Sequence, residues 1–139
     1  MSNSAENLED SVRTIINFLL DDTGVSLREI SRRTGVAHTT LGEKLRRGRA
    51  IHISDLVMFC EVLELSPWEV VAAAEWMVYG QPPEGLTRQE QIDVAALFEA
   101  AARYRDKDYA TPAASKPTPL FSDRRNDGYY GDEALPRMA

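Results

Sequence analysis

All-α is the fold class that this chain of 139 residues predicts, and three observations carry it. Apolar side chains recur at i, i+3 and i+4 in five successive stretches, with a sixth beyond them. Several stretches open on helix-capping chemistry: Ser26, Ser54, Ser66-Pro67-Trp68-Glu69 and Thr87-Arg88-Gln89-Glu90. Glycines 24, 35, 48 and 80 stand where four of the stretches stop.

The first helix is predicted from Ala5 to Asp22, with Ser4 as its N-cap and Leu8, Val12, Ile15, Ile16 and Leu19 on one stripe. Ser26 caps the second, which ends at Thr34-Gly35 and turns Leu27, Ile30 and Ser31 inward. The third runs from about Ala37 to Arg47, with Leu41 and Leu45 inward and Gly48 as its stop. Gly35 supplies the left-handed conformation that lets the chain turn sharply between these two, and Val36 fills the angle. Ser54 is the expected cap of helix four, with Leu56, Val57, Cys60 and Leu63 inward. Proline at the first helical position and a capping box mark helix five, which carries Trp68, Val71, Ala74 and Met77 to about Tyr79-Gly80. The span 5–80 thus reads as one domain and 81–87 as a linker. An accessory helix follows over 88–106, with Ile92, Ala95, Ala96, Leu97 or Phe98, Ala102 and Tyr104 as its apolar set. That stripe is alanine-rich and too weak to stand alone, so it must pack on something. From residue 107 to 139, prolines, small polar residues and charges of both signs predict a disordered tail.

Net charge is −6, but it is not evenly spread. Residues 24–50 carry seven basic and two acidic side chains, whereas residues 51–84 carry six acids and no Lys or Arg. A local basic patch is what contact with phosphates requires, and the acidic remainder repels DNA elsewhere. The single Cys60 excludes an internal disulfide and a cysteine-based zinc site. No apolar run approaches the ~20 residues of a membrane helix. The acidic N-terminus lacks the basic and apolar regions of a signal peptide, so a cytoplasmic protein, at the nucleoid of a bacterial host, is expected. Arg outnumbers Lys by 13 to 3, a usage associated with GC-rich bacterial or phage genomes. Nothing points to an enzyme, a metal or a cofactor.

Two short amphipathic helices hinged at Gly35-Val36, with a helix before them, two after them and the basic segment around them, resemble the lambda-repressor-like family (Cro/repressor, or xenobiotic-response-element type) over about residues 8–80. The resemblance implies a five-helix helix-turn-helix domain that inserts helix 37–47 in the major groove of a double-stranded DNA operator. It implies a transcriptional repressor, including the phage immunity type that maintains lysogeny. It makes His38 and Thr39 base contacts, with Gly42 and Glu43 one turn on. A Glu43 carboxylate can accept from a cytosine amine, and His38 can donate to guanine. Gly42 departs from the larger polar residue common in the family. It costs ~1 kcal/mol relative to Ala, which close approach of DNA would explain. Phosphate contacts fall to Lys44, Arg46, Arg47 and Arg49 after helix three, to Thr40, and to Ser26 and Arg28 at the start of helix two. Of Arg32 and Arg33, one is expected to pair with Glu29. An extra residue relative to the common family pattern sits near Arg46-Arg47-Gly48.

Two arrangements of partners stay open at this stage. A homodimer reading a palindrome is the family habit, whereas helix 88–106 lying beside the core as a second DNA contact would let a monomer read an asymmetric site. The alternative function is an antitoxin-like or protein-interaction module whose tail folds on a protein through Phe121 and Tyr129-Tyr130. The small and apolar C-terminal residues also suit a protease that reads flexible ends.

Overall fold

Six helices and no strand form residues 2–107, the part of the chain that the computed structural model describes, with side chains from Ala5 to Asp106. They are α1 (Ser2–Thr23), α2 (Leu27–Thr34), α3 (His38–Arg46), α4 (Ile53–Leu63), α5 (Pro67–Tyr79) and α6 (Arg88–Lys107). No helix among the described residues is long and apolar enough to cross a membrane. The expectations for the tail, with Phe121 and Tyr129-Tyr130, fall on residues outside those described.

The centre of the molecule is α1. Ile15, Ile16 and Leu19 are fully buried on it, and it packs most extensively on α5. Close approach there follows from composition: α5 turns Val70, Ala73 and Ala74 inward, and two of these three are only a methyl deep. α1 begins at Ser2, earlier than expected, because neither Gly nor Pro interrupts residues 2–5. Ser4 therefore lies inside the helix and not at its cap.

Two helix starts differ in detail from expectation. α4 begins at Ile53 with His52, not Ser54, at the cap position, because the Asp55 carboxylate accepts from the His52 backbone N–H at 2.8 Å. Its buried face is Leu56, Phe59, Cys60 and Val62, while Val57 is 37% exposed and Leu63 only partly buried. α5 does start at Ser66-Pro67, but the Ser66 hydroxyl caps nothing and Glu69 is buried, so the expected capping box does not form. Trp68 is correspondingly exposed, and Val70 takes the inward place.

The box at α6 does form: the Thr87 N–H donates to Glu90 Oε1 at 2.9 Å and the Glu90 N–H to Thr87 Oγ1 at 3.1 Å. Its alanine-rich stripe packs on α1 and α5. Val94, Leu97, Ala100 and Ala101 are buried in the same core as α1, while Ile92 is 53% exposed. Phe98 stacks on Trp76 at 4.9 Å between ring centres, and Tyr104 meets Phe18 edge-on at 5.7 Å. α6 therefore completes the core of the first five helices.

Leu97→Ala is expected to cost about 2–5 kcal/mol in urea unfolding, and Ile92→Ala less than about 0.5 kcal/mol. Equal, small losses at both positions would mean that α6 is not part of the cooperative unit. A second expectation concerns Cys60, whose thiol is pushed up to about 12 by burial and by the negative charge of Glu69. Only the thiolate alkylates. At pH 8, Cys60 should therefore react with iodoacetamide only as fast as the protein unfolds globally; rapid labelling of the native state would contradict its burial.

Candidate nucleic-acid interface

Ser26 opens the region. Its extended backbone (φ −92°, ψ 161°) points the hydroxyl at the first turn of α2, where Oγ accepts from the Glu29 N–H at 3.1 Å. Glu29 in turn lies 3.7 Å from Arg33, so Arg33 is the arginine that pairs on this surface. At the other end Gly35 takes φ 84°, and its N–H closes on the Ser31 carbonyl at 2.8 Å. The Thr34 hydroxyl donates to the Ile30 carbonyl at 2.8 Å and accepts from the Val36 N–H at 3.2 Å, tying both sides of the turn together. Ile30, Leu41 and Leu45 are buried below it. This fixes which way α3 faces.

The outer face of α3 begins with His38 and Thr39, both exposed, and continues through the half-buried Thr40, Gly42 and Glu43. No side chain caps its first turn, since the residue at the cap position is Ala37. A Cβ on Gly42 would sit 3.8 Å from Leu27 Cδ1, which is ordinary contact. Nothing within the described residues demands glycine there. An open cleft of about 450 Å³ between the start of α2 and α3 is lined by Ser26, Arg28, His38 and Arg46, with Asp21 at the end of α1. It brings together four residues that the sequence assigned to DNA, from three different parts of the motif. Tyr104 of α6 donates to Asp21 Oδ2 at 2.7 Å, so the acidic member of the cleft is already hydrogen-bonded.

The end of α3 is held by α1, which the sequence reading missed. Arg13, buried at 9% exposure, donates from Nε to the Lys44 carbonyl at 2.6 Å and from Nη2 to the Arg49 carbonyl at 3.0 Å. Asn17 Nδ2 donates to the Leu45 carbonyl at 3.0 Å. The Glu43 carbonyl accepts from the N–H groups of Arg47 and Arg49, each at 3.1 Å. Three of the last four carbonyls of α3, which no further turn of helix satisfies, thereby gain donors. Glu9 holds the next stretch by accepting from the Ile51 N–H at 2.7 Å. The signal was present: Glu9, Arg13 and Asn17 recur at i, i+4, i+8 beside the apolar stripe of α1.

Lys44 is a correction. The sequence made it a phosphate contact, but it is 7% exposed, with Nζ 2.9 Å from Asp55 Oδ2 and 3.2 Å from the Ala50 carbonyl. Helical phase decides this, because Lys44 lies between the inward Leu41 and Leu45 and its ammonium joins α3 to α4. Burial alone would push the Asp55 carboxyl up. The hydrogen bonds from Lys44 and the His52 amide, with the Lys44 charge, outweigh it and hold Asp55 below its ordinary 3.8. Arg28, Arg46 and Arg47 are exposed as expected. Arg49 is exposed too, but its Nη1 lies 2.7 Å from Glu43 Oε1, so two predicted contacts of opposite charge meet each other.

No family model, curated protein or solved structure matches this chain.

Lys44→Met is expected to destabilise the protein by about 1–3 kcal/mol at pH 7, because it leaves the half-buried Asp55 carboxylate without its cation. Since the folded Asp55 pKa is depressed, its stabilising contribution is complete above 3.8 and is lost as pH falls through the lower folded value. The variant loses the hydrogen bond and the charge of Lys44, so the same group titrates higher than in wild type. The gap between variant and wild type in urea unfolding should therefore narrow from pH 7 to pH 3; a constant gap would exclude the pair as its source.

Proposed function

We propose that this chain is a lambda-repressor-like helix-turn-helix protein that binds double-stranded DNA sequence-specifically, with α3 in the major groove. The observation that carries the reading is the cleft in which Ser26, Arg28, His38 and Arg46 converge beside the exposed face of α3. A helix docked in a groove needs donors on both flanking backbones and small or polar side chains at the base edges. Ser26, Arg28, Arg46 and Arg47 supply donors for the DNA backbone, and His38, Thr39 and Gly42 supply the small or polar side chains of the exposed face. Lys44 drops out of the set.

Repression follows from occupancy alone, since a domain seated on promoter DNA excludes polymerase without any further contact. The packing of α6 on α1 and α5 favours neither dimer nor monomer, and the symmetry of the bound sequence decides between them.

Selection of bound sequences from random duplex DNA, followed by salt-dependent affinity on the winner, tests the reading. An enriched motif whose log K falls steeply with log salt is expected. His38→Ala should cost about 1–3 kcal/mol and relax the preference at one position, while Arg47→Ala should weaken all sequences alike and reduce the salt slope by about 1. Absence of any enrichment, with only weak binding lost at moderate salt, would overturn the proposal.

A further inference from the structure

The Glu43–Arg49 pair assigns a division of labour within the interface. Arg49 is held at three points. Its N–H donates to the Glu43 carbonyl at 3.1 Å, its carbonyl accepts from buried Arg13 at 3.0 Å, and its Nη1 donates to Glu43 Oε1 at 2.7 Å. Arg13 is itself fixed by Asp10 at 2.6 Å and by the Lys44 carbonyl. Arg46 and Arg47, in contrast, have no ion-pair partner among the described residues. Although Arg49 follows α3 in the sequence, the bridge brings its guanidinium back beside Glu43, one helical turn from Thr39.

Stability does not account for this. Both side chains are about half exposed, at 56% and 47%, and such pairs contribute little to folding. Nor does phosphate binding account for it, because a phosphate accepts an arginine from many directions and a carboxylate nearby repels it. A guanine edge is different. Its O6 and N7 accept two parallel N–H bonds from a guanidinium whose plane is set. With Nη1 engaged by Glu43, Nε and Nη2 remain as a free pair of donors.

We infer that Arg49 reads a guanine in the bound sequence, and that Glu43 is a positioning residue that fixes the Arg49 guanidinium instead of contacting a base itself. The inference rests on the DNA-binding reading above. It reassigns two residues: Arg49 moves from phosphate to base, and Glu43 from base to support.

The test compares wild type, Arg49→Lys, Glu43→Ala and the double variant by selection from random duplex DNA and by affinity for the wild-type winner and a random duplex. Thermal melting confirms folding, which two exposed changes should leave intact. Arg49→Lys keeps the charge but not the fork. It should reduce the preference for guanine at one position and weaken the winner about 5- to 150-fold, with the random duplex almost unchanged. Glu43→Ala should relax that same position and weaken the winner while strengthening the random duplex, since a negative charge has gone. In the Arg49→Lys background it should cost no further discrimination.

Three results would overturn the inference. Arg49→Lys could leave both the guanine preference and the affinity for the winner undiminished, which makes Arg49 a phosphate contact. Glu43→Ala could tighten winner and random duplex equally, which leaves Glu43 as mere charge. It could also relax a different position from Arg49→Lys, which makes Glu43 a reader in its own right. If wild type enriches no sequence at all, the DNA-binding reading itself falls, and the inference with it.

Discussion

α3 stops after nine residues, and its last carbonyls have no further turn of helix to satisfy them. Arg13 and Asn17 of α1 donate to the Lys44 and Leu45 carbonyls, Arg13 also holds the Arg49 carbonyl beyond the helix, and much of the geometry of the exposed face follows from that bond set. A cation at a helix C-terminus also opposes the negative end of the helix dipole, and burial strengthens the effect. Because Arg13 sits on α1, which carries much of the core, the orientation of α3 is tied directly to that core. Without Arg13, the Lys44 and Arg49 carbonyls would lose their side-chain donor, and the stretch from Arg47 to Ile51 would be left with the Glu9 contact to the Ile51 N–H.

The basic residues of the segment 24–50 are chemically alike but physically divided by burial. Lys44 faces inward and is spent on Asp55, where charge acts as a structural link between α3 and α4. Arg33 and Arg49 are exposed and paired, so each is oriented by a carboxylate at low energetic gain. Arg28, Arg32, Arg46 and Arg47 remain open to solvent, with their charge available to another molecule. A sequence count of seven cations thus overstates the free positive charge of this surface. The rest is committed within the chain.

Helical periodicity made the order of elements and the turn at Gly35 legible, because both depend on local chemistry: a capping hydroxyl, a left-handed glycine, a 3.6-residue stripe. What remained illegible depends on partners distant in sequence. His52 and Ser54 are both plausible caps, and only the reach of Asp55 back to the His52 amide selects the first. Val57 and Phe59 are both apolar, and which one points inward is set by how α4 lies on the core. Lys44 looks like any other lysine in a basic run until Asp55, eleven residues on, is placed beside it. For the interface, exposure of His38, Thr39 and the arginines could be read from phase alone, whereas the Arg13 brace and the Glu43–Arg49 bridge could not.

Gly42 bears on why such a surface exists. Glycine inside a nine-residue helix costs about 1 kcal/mol relative to alanine, and short helices have little margin for it. The packing offers no return on that cost, since a methyl group at Gly42 would make only ordinary contact with Leu27. Its backbone conformation is helical and open to any residue. A destabilising residue with no internal reason, on the exposed face of a helix whose other face is fully buried, points outward for its explanation. Removing a side chain there lowers the ridge of α3 between Thr39 and Arg46 and leaves its backbone open to close approach. On the proposed reading, close approach also raises the demand on neighbouring side chains to be oriented in advance, and the braces from α1 and from Glu43 meet it.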